Sequence, residues 1–299
     1  MATPLKFGKS FLRVVEVAKV APQGNGVPAT KAFLGASQFR RYTSTHVNVQ
    51  KHGSVAILEL NRGPVNSFSL EFLEEINTNL ESLENDQDCQ GLIVTSGVPK
   101  VFSAGLDLVK EIYQPSDKKR LASFWSNFQE MWLRLYGSRL ATMAAINGHA
   151  MAGGCVLGLS CDYRVMAEGF RIGMVEIEAG VPPPSWVVGT MRNVVGQSCT
   201  EKAILSNKRY TSEEALAVGM VDKTVPKDKV MEETMVEMEK WVAFSGKARE
   251  LTKRTLRKEY VEALENNRAE DIKNFCDCIL DEDVQKAIGK QIEKISKKK

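Results

Sequence analysis

Glu176 and Glu178 lie in a short stretch between the apolar Met174 and the Pro182-Pro183-Pro184 bend. A carboxylate in such company suits general base work, because desolvation among residues such as Ile172 and Val175 raises its pKa toward neutrality, where a proton can be both taken and returned. On extended chain the two glutamates would point the same way about 7 Å apart, so spacing leaves both open. Exposed loop acids are the plainer alternative for each.

Two glycine-containing turns follow apolar runs: Val101 to Leu108 (VFSAGLDL) and Ile146 to Cys155 (INGHAMAGGC). Small residues there let a ligand approach backbone N–H groups closely. The second turn opens a helix, whose free N–H groups and dipole favour negative charge. Neither turn matches G-x-x-x-x-G-K or G-x-G-x-x-G, so nucleoside triphosphate and NAD chemistry lose support and a site for a developing oxyanion remains. With histidine only at positions 46, 52 and 149, no Ser-His-Asp set is evident. The six cysteines show no C-x-x-C spacing, and Cys276-x-Cys278 on a helix would not share a face, so no metal site is expected.

The elements that must hold these groups can be read from apolar periodicity. His46 to Gln50 and Val55 to Leu60 read as strands around a turn at Lys51 to Ser54. Ser69 can cap a helix carrying Leu73, Ile76, Leu80 and Leu83. Strands follow at Gly91 to Thr95, Ala141 to Ile146, Tyr163 to Ala167 and Met220 to Val225. A helix start falls at Gly153 to Leu159, and Thr211 with Glu214 makes a capping box closed by Gly219. Residues 121 to 135 carry Leu121, Phe124, Trp125, Phe128, Met131, Trp132 and Leu135 on one stripe. That stripe predicts a core-facing helix rather than an aromatic cofactor box. Helices are expected over Val230 to Val242, Ala248 to Leu264 and Ala269 to Ile295. Their basic residues, among them Lys253, Arg254 and Arg257, predict a solvated face or a meeting place for phosphates. The strand, helix, strand order predicts an α/β fold.

A length of 299 residues with 43% hydrophobic content supplies one substantial core, and no run of apolar residues is long enough to span a membrane. Residues 1 to 42 hold seven basic residues against the single acid Glu16 and begin with an amphipathic pattern, which predicts an organelle transit peptide; Arg40 and Arg41 before Tyr42 resemble a mitochondrial processing site, and a disordered basic tail is the plainer alternative. The remainder has 33 basic residues against 36 acidic ones, which gives no general case for nucleic-acid binding. The expected division is therefore a leader at 1 to 42, a core at 43 to 227 and a helical region at 228 to 299.

Phe102 to Asp107, Ile146 to Gly154 and Cys161-Asp162-Tyr163-Arg164, together with Leu60-Asn61-Arg62, Pro64-Val65-Asn66 and Ala215 to Asp222, closely resemble the crotonase (enoyl-CoA hydratase/isomerase) superfamily. The resemblance spans about His46 to Val225. It implies stacked ββα turns in a spiral core, carboxyl-terminal helices, trimers or paired trimers, and acyl-CoA thioester substrates whose enolate is held by two backbone N–H groups. By position those donors are Ala104 and Gly153, with Gly105, Leu106, Asp107, Leu108 and Val175 also meeting substrate. The two acid-base positions fall at Val156 and, aligned through Gly173 and Gly180, at Glu176. Asp107 is then expected to orient its turn and His149 to be an uncharged wall residue.

Valine can neither accept nor donate a proton, so the two-carboxylate hydration of a double bond is expected to be weak, while one carboxylate suffices to move a proton between two carbons. The phrases Val101 to Leu108, Glu130 to Tyr136 and Pro64 to Phe72 are similar to the mitochondrial Δ3-Δ2-enoyl-CoA isomerase branch. That resemblance implies transposition of a 3-enoyl double bond to position 2 in the β-oxidation of unsaturated fatty acids in the mitochondrial matrix, with coenzyme A as part of the substrate and no further cofactor. A dienoyl-CoA isomerase, which uses an additional carboxylate, and a weak hydratase are the enzymatic alternatives. An RNA-binding relative is the non-enzymatic one, although the relevant helix, Ser69 to Asp86, carries five glutamates and no lysine.

Overall fold

The computed structural model describes residues 42–43, 45–115 and 117–297, so the transit-peptide expectation falls, apart from Tyr42, outside the described residues. The main sheet orders its strands Tyr42–Thr43, Val47–His52, Val55–Leu60, Gly91–Ser96, Ala141–Ile146, Tyr163–Ala167 and Lys223–Val225. From Val55 onward the neighbours run parallel, with Val55 opposite Gly91 and Gly91 opposite Ala141. Every residue of Gly91–Ser96 and Ala141–Ile146 is buried, which explains their unbroken apolar runs: helices cover both faces.

A second sheet stacks the short strands Val101–Ser103, His149–Met151 and Arg171–Gly173 in parallel, with Tyr210–Thr211 added antiparallel to the last. Gly91–Ser96, Ala141–Ile146 and Tyr163–Ala167 each continue into a short strand of the second sheet, and successive turns pile on one another as the spiral that the resemblance implies. Ser67–Phe68 pairs separately with Gly105–Leu106.

The helices are α1 (Leu70–Asn85), α2 (Lys118–Tyr136), α3 (Gly153–Ser160), α4 (Ser185–Val195), α5 (Gln197–Leu205), α6 (Ser212–Ala217), α7 (Val230–Val242), α8 (Gly246–Ile279) and α9 (Glu282–Ser296). Ser69 caps α1 by accepting from the Phe72 N–H, and the whole α2 stripe is buried. The Thr211–Glu214 capping box is formed. The strand expected from Met220 starts only at Lys223, because the Met220 and Val221 N–H groups turn back to the Ala215 carbonyl and close α6.

Two other expectations shift. α4 and α5 carry no long stripe and were not legible, while the break expected between Leu264 and Ala269 is only a bend at Asn267 (φ −124°, ψ 17°) within α8. The real break is at Asp281, whose carboxylate accepts from the Asp283 and Val284 N–H groups and starts α9. Lys253 and Arg257 do not form a solvated face. Both pair with the buried Asp162, at 2.6 and 2.9 Å, and pin α8 to the sheet. Among the described residues no helix is long and apolar enough to cross a membrane.

Candidate active site

The spiral brings the two glycine turns into contact. Gly105 has φ +85°, and a Cβ there would lie 2.6 Å from the Gly153 nitrogen; a Cβ on Gly154 would lie 2.2 Å from the Ser103 carbonyl oxygen. Both closures therefore require glycine. The first turn is fixed from below by the fully buried Asn66, whose Nδ2 donates to the Phe102 carbonyl at 3.0 Å and to Ser96 Oγ at 2.8 Å. Ser103 Oγ donates to the Asn66 carbonyl and accepts from the Gly105 N–H.

One expected donor is already engaged. The Ala104 N–H donates to the Val65 carbonyl at 3.0 Å, so it does not point free into the site. The neighbouring ladder supplies a replacement. Asp107 N–H donates to the Phe68 carbonyl, and because a parallel ladder engages alternate residues, the intervening Leu106 N–H is turned away from that strand, to the side where Leu106 lines a cavity. Gly153, the first residue of α3, has no intrahelical partner for its N–H. It is presented by Ala152, a non-glycine residue at φ 50°, ψ −125°, held by its N–H to the Gly173 carbonyl and its own carbonyl to the Val156 N–H. Backbone strain of this kind at a functional site is a recognised pattern.

Glu176 begins a 3-10 turn, Glu176–Ala179, rather than lying on extended chain. Its Oε2 is enclosed and has no hydrogen-bond partner. Burial pushes its carboxyl up from the ordinary 4.5 to about 7, opposed only by a backbone hydrogen bond. With three residues per turn, Glu178 points away from Glu176: it lines the outer cleft but not the inner slot. It is paired with Lys294 and Arg209, and the hydrogen bond from Lys294 foremost holds its carboxyl below the usual range. Glu176 thus has no ion-pair partner among the described residues and is poised near neutrality, while Glu178 is committed to ion pairs.

Asp107 accepts from Arg62 Nη2 at 3.0 Å, from Ser67 Oγ and from the Lys110 N–H, which orients the turn as expected. Arg62 is held there too, its Nη1 donating to the Ser67 carbonyl and hydroxyl. His149 Nδ1 accepts from the Arg171 N–H, and its ring stands edge-on to Phe170.

Two cavities meet at Glu176. A cleft of about 560 Å³ is lined by Ala104, Leu106, Asp107, Leu108, Val175, Glu176 and the ion-paired Glu178, with Arg62 and Arg209 beside them. Its far wall is α9, through Gln291, Ile292 and Ile295, which the sequence reading missed because their amphipathic pattern signals only helix packing. A slot of about 30 Å³ continues past Leu106, Gly153, Val156 and Glu176 to Trp125, Phe128, Pro182 to Pro184 and Val187. Gly105 lines neither; it backs Gly153 instead. Among the described residues there is no group of three or more His, Cys, Asp or Glu arranged to hold a metal.

Residues 50–298 match the model of the enoyl-CoA hydratase/isomerase family. The chain belongs to that family. Enoyl-CoA delta isomerase 1, mitochondrial, of Mus musculus is 41% identical over 264 residues, covering 87% of this chain and 91% of that protein. The Homo sapiens protein of the same name is 38% identical, covering 90% of each. The crystal structure of human mitochondrial delta3-delta2-enoyl-CoA isomerase superposes with a TM-score of 0.83 at 38% identity, covering 85% of this chain and all of that one. By contrast, the short-chain-enoyl-CoA hydratase of Clostridium acetobutylicum is 27% identical, over 83% of this chain and 95% of that protein. Membership of the enoyl-CoA hydratase/isomerase family leaves the two chemistries of its name open.

Proposed function

We propose that this chain converts 3-enoyl-CoA thioesters to 2-enoyl-CoA thioesters in the β-oxidation of unsaturated fatty acids. The observation that carries the reading is the slot that contains Glu176 and, where a second acid-base group would stand, Val156. Ionised Glu176 takes a C2 proton while the Leu106 and Gly153 N–H groups hold the thioester oxygen as negative charge develops on it. A dienolate results. The same carboxyl, now protonated, delivers the proton to C4, which leaves the conjugated double bond and restores the carboxylate. Nothing is added or lost, so no cofactor is called for; coenzyme A is part of the substrate. Base and oxyanion donors can each contribute on the order of a hundredfold or more.

A carboxyl near 7 suits both halves of this transfer. Hydration would need a second acid-base group to hold and deprotonate water, and transposition in a dienoyl thioester would need a carboxylate further along the tail; Glu176 is the one carboxylate among the slot's lining residues. The names of the mouse and human relatives and the basic leader support a place in the mitochondrial matrix. Family resemblance supports a homotrimer or hexamer. The direct test supplies 3-hexenoyl-CoA, 2-hexenoyl-CoA with water, and a 2,5-dienoyl-CoA in parallel. Fast appearance of the conjugated 2-enoyl product with slow hydration is expected; a dienoyl rate above the 3-enoyl rate, or hydration as fast as transposition, would overturn the reading.

A further inference from the structure

We propose that Trp125 and Trp186, clamped by Asp271, form a gate that limits the acyl tail to a few carbons beyond the reacting ones. This rests on the reading of the site as one for enoyl thioesters. The slot past Glu176 holds about 30 Å³, space for roughly two or three methylene-sized groups when a water-sized sphere needs about 10–15 Å³. Trp125 and Phe128 close it.

A second cavity lies behind that closure. A groove of about 520 Å³ runs between α4 and α8, lined by Trp186, Tyr260, Asn267 and Asp271 among others. Val187 lines the slot and the adjacent Trp186 lines the groove, so the start of α4 stands between the two spaces. One carboxylate oxygen on α8 ties Trp186 there to α2. Asp271 Oδ2 accepts from Trp125 Nε1 at 2.7 Å, from Gln129 Nε2 at 2.7 Å and from Trp186 Nε1 at 3.3 Å. Phe275, also on α8, stacks on Trp125 at 3.6 Å with the rings 6° from parallel. Both indole N–H groups, from α2 and α4, are thus satisfied by one carboxylate oxygen on the groove wall, so separating the two rings breaks bonds to that oxygen. With the clamp closed, a long tail meets the Trp125 ring; with it open, the slot would run into the groove.

The test measures binding and turnover separately, on wild type, Trp125→Leu and Asp271→Asn. Calorimetry compares hexanoyl-CoA with dodecanoyl-CoA, saturated thioesters that need no reaction, and kcat/KM compares 3-hexenoyl-CoA with 3-dodecenoyl-CoA. Wild type is expected to favour the six-carbon thioester by tenfold or more. Trp125→Leu should move that ratio at least tenfold toward twelve carbons, and Asp271→Asn should move it the same way by less. Equal handling of both lengths by wild type overturns the gate, as does an unchanged ratio in the variants. If Trp125→Leu does not fold, Asp271→Asn decides. Length-selective binding without turnover keeps the gate and removes the isomerase reading; turnover without selectivity does the reverse, and binding of neither thioester removes both.

Discussion

Glu176 and Val156 line one slot, so the carboxylate there shares its pocket with hydrocarbon rather than with a second acid. Glu176→Gln should lower 3-enoyl-CoA turnover by about 10²- to 10⁴-fold, the usual contribution of a positioned base, while acyl-CoA still binds. Glu178→Gln, which loses only the pairing to Lys294 and Arg209, should stay within about tenfold of wild type, since exposed ion pairs contribute little. Steady-state kinetics and calorimetry on the two variants check this; equal activity of all three proteins would sink the assignment.

The elevated carboxyl sets both rate and stability against pH. The base must be ionised, so kcat/KM should fall as pH drops below about 7. For stability the sign runs the other way. A carboxyl raised from 4.5 to about 7 by burial favours the folded state most when protonated, so its contribution is complete below pH 4.5 and is lost as pH rises through 7. Glu176→Gln should therefore be more stable than wild type at pH 8, by on the order of 3 kcal/mol, with the gap closing toward pH 4. Urea melts at both pH values read this out.

Val156→Glu would put a second carboxylate beside the first. Like charges in one site raise the pKa of at least one of them. The acid limb of the isomerase profile should move to higher pH, and turnover at pH 7 should fall. Hydration of 2-hexenoyl-CoA should rise above its wild-type level. A pH–rate profile with an unmoved limb in a folded variant would show that position 156 does not face Glu176.

The choice between Ala104 and Leu106 as donor can be tested without altering side chains. Replacing the backbone amide of residue 106 by an ester removes its N–H, at the side cost of a weaker Gly105 carbonyl acceptor, and should cost about 10²- to 10³-fold in kcat, the usual effect of one lost oxyanion donor. The same change at residue 104 removes the hydrogen bond to Val65 and should lower thermal stability while leaving kcat within about tenfold of wild type.

Much of the fold was legible because it rests on apolar periodicity. The buried stripe of α2, the runs Gly91–Ser96 and Ala141–Ile146, and the caps Ser69 and Thr211 are local patterns. What was not legible depends on partners distant in sequence. Ala104 and Leu106 are alike as amides until Val65 takes one and the pairing with Phe68 turns the other aside. Glu176 and Glu178 are alike until a 3-10 turn separates them and Lys294, from α9, claims the second. The short helices α4 and α5 lacked a stripe long enough to read, and the α9 wall of the cleft looked like any amphipathic helix.

The contact of Gly105 with Gly153, and of Gly154 with Ser103, is backbone against backbone. Side chains elsewhere in the slot can therefore change without moving the amides that hold the substrate oxygen. A valine codon and a glutamate codon can differ at a single base, so in such a scaffold the passage between adding water and shifting a double bond is short in mutational terms. The rigid part carries what both reactions share, and the freely exchangeable part carries what divides them.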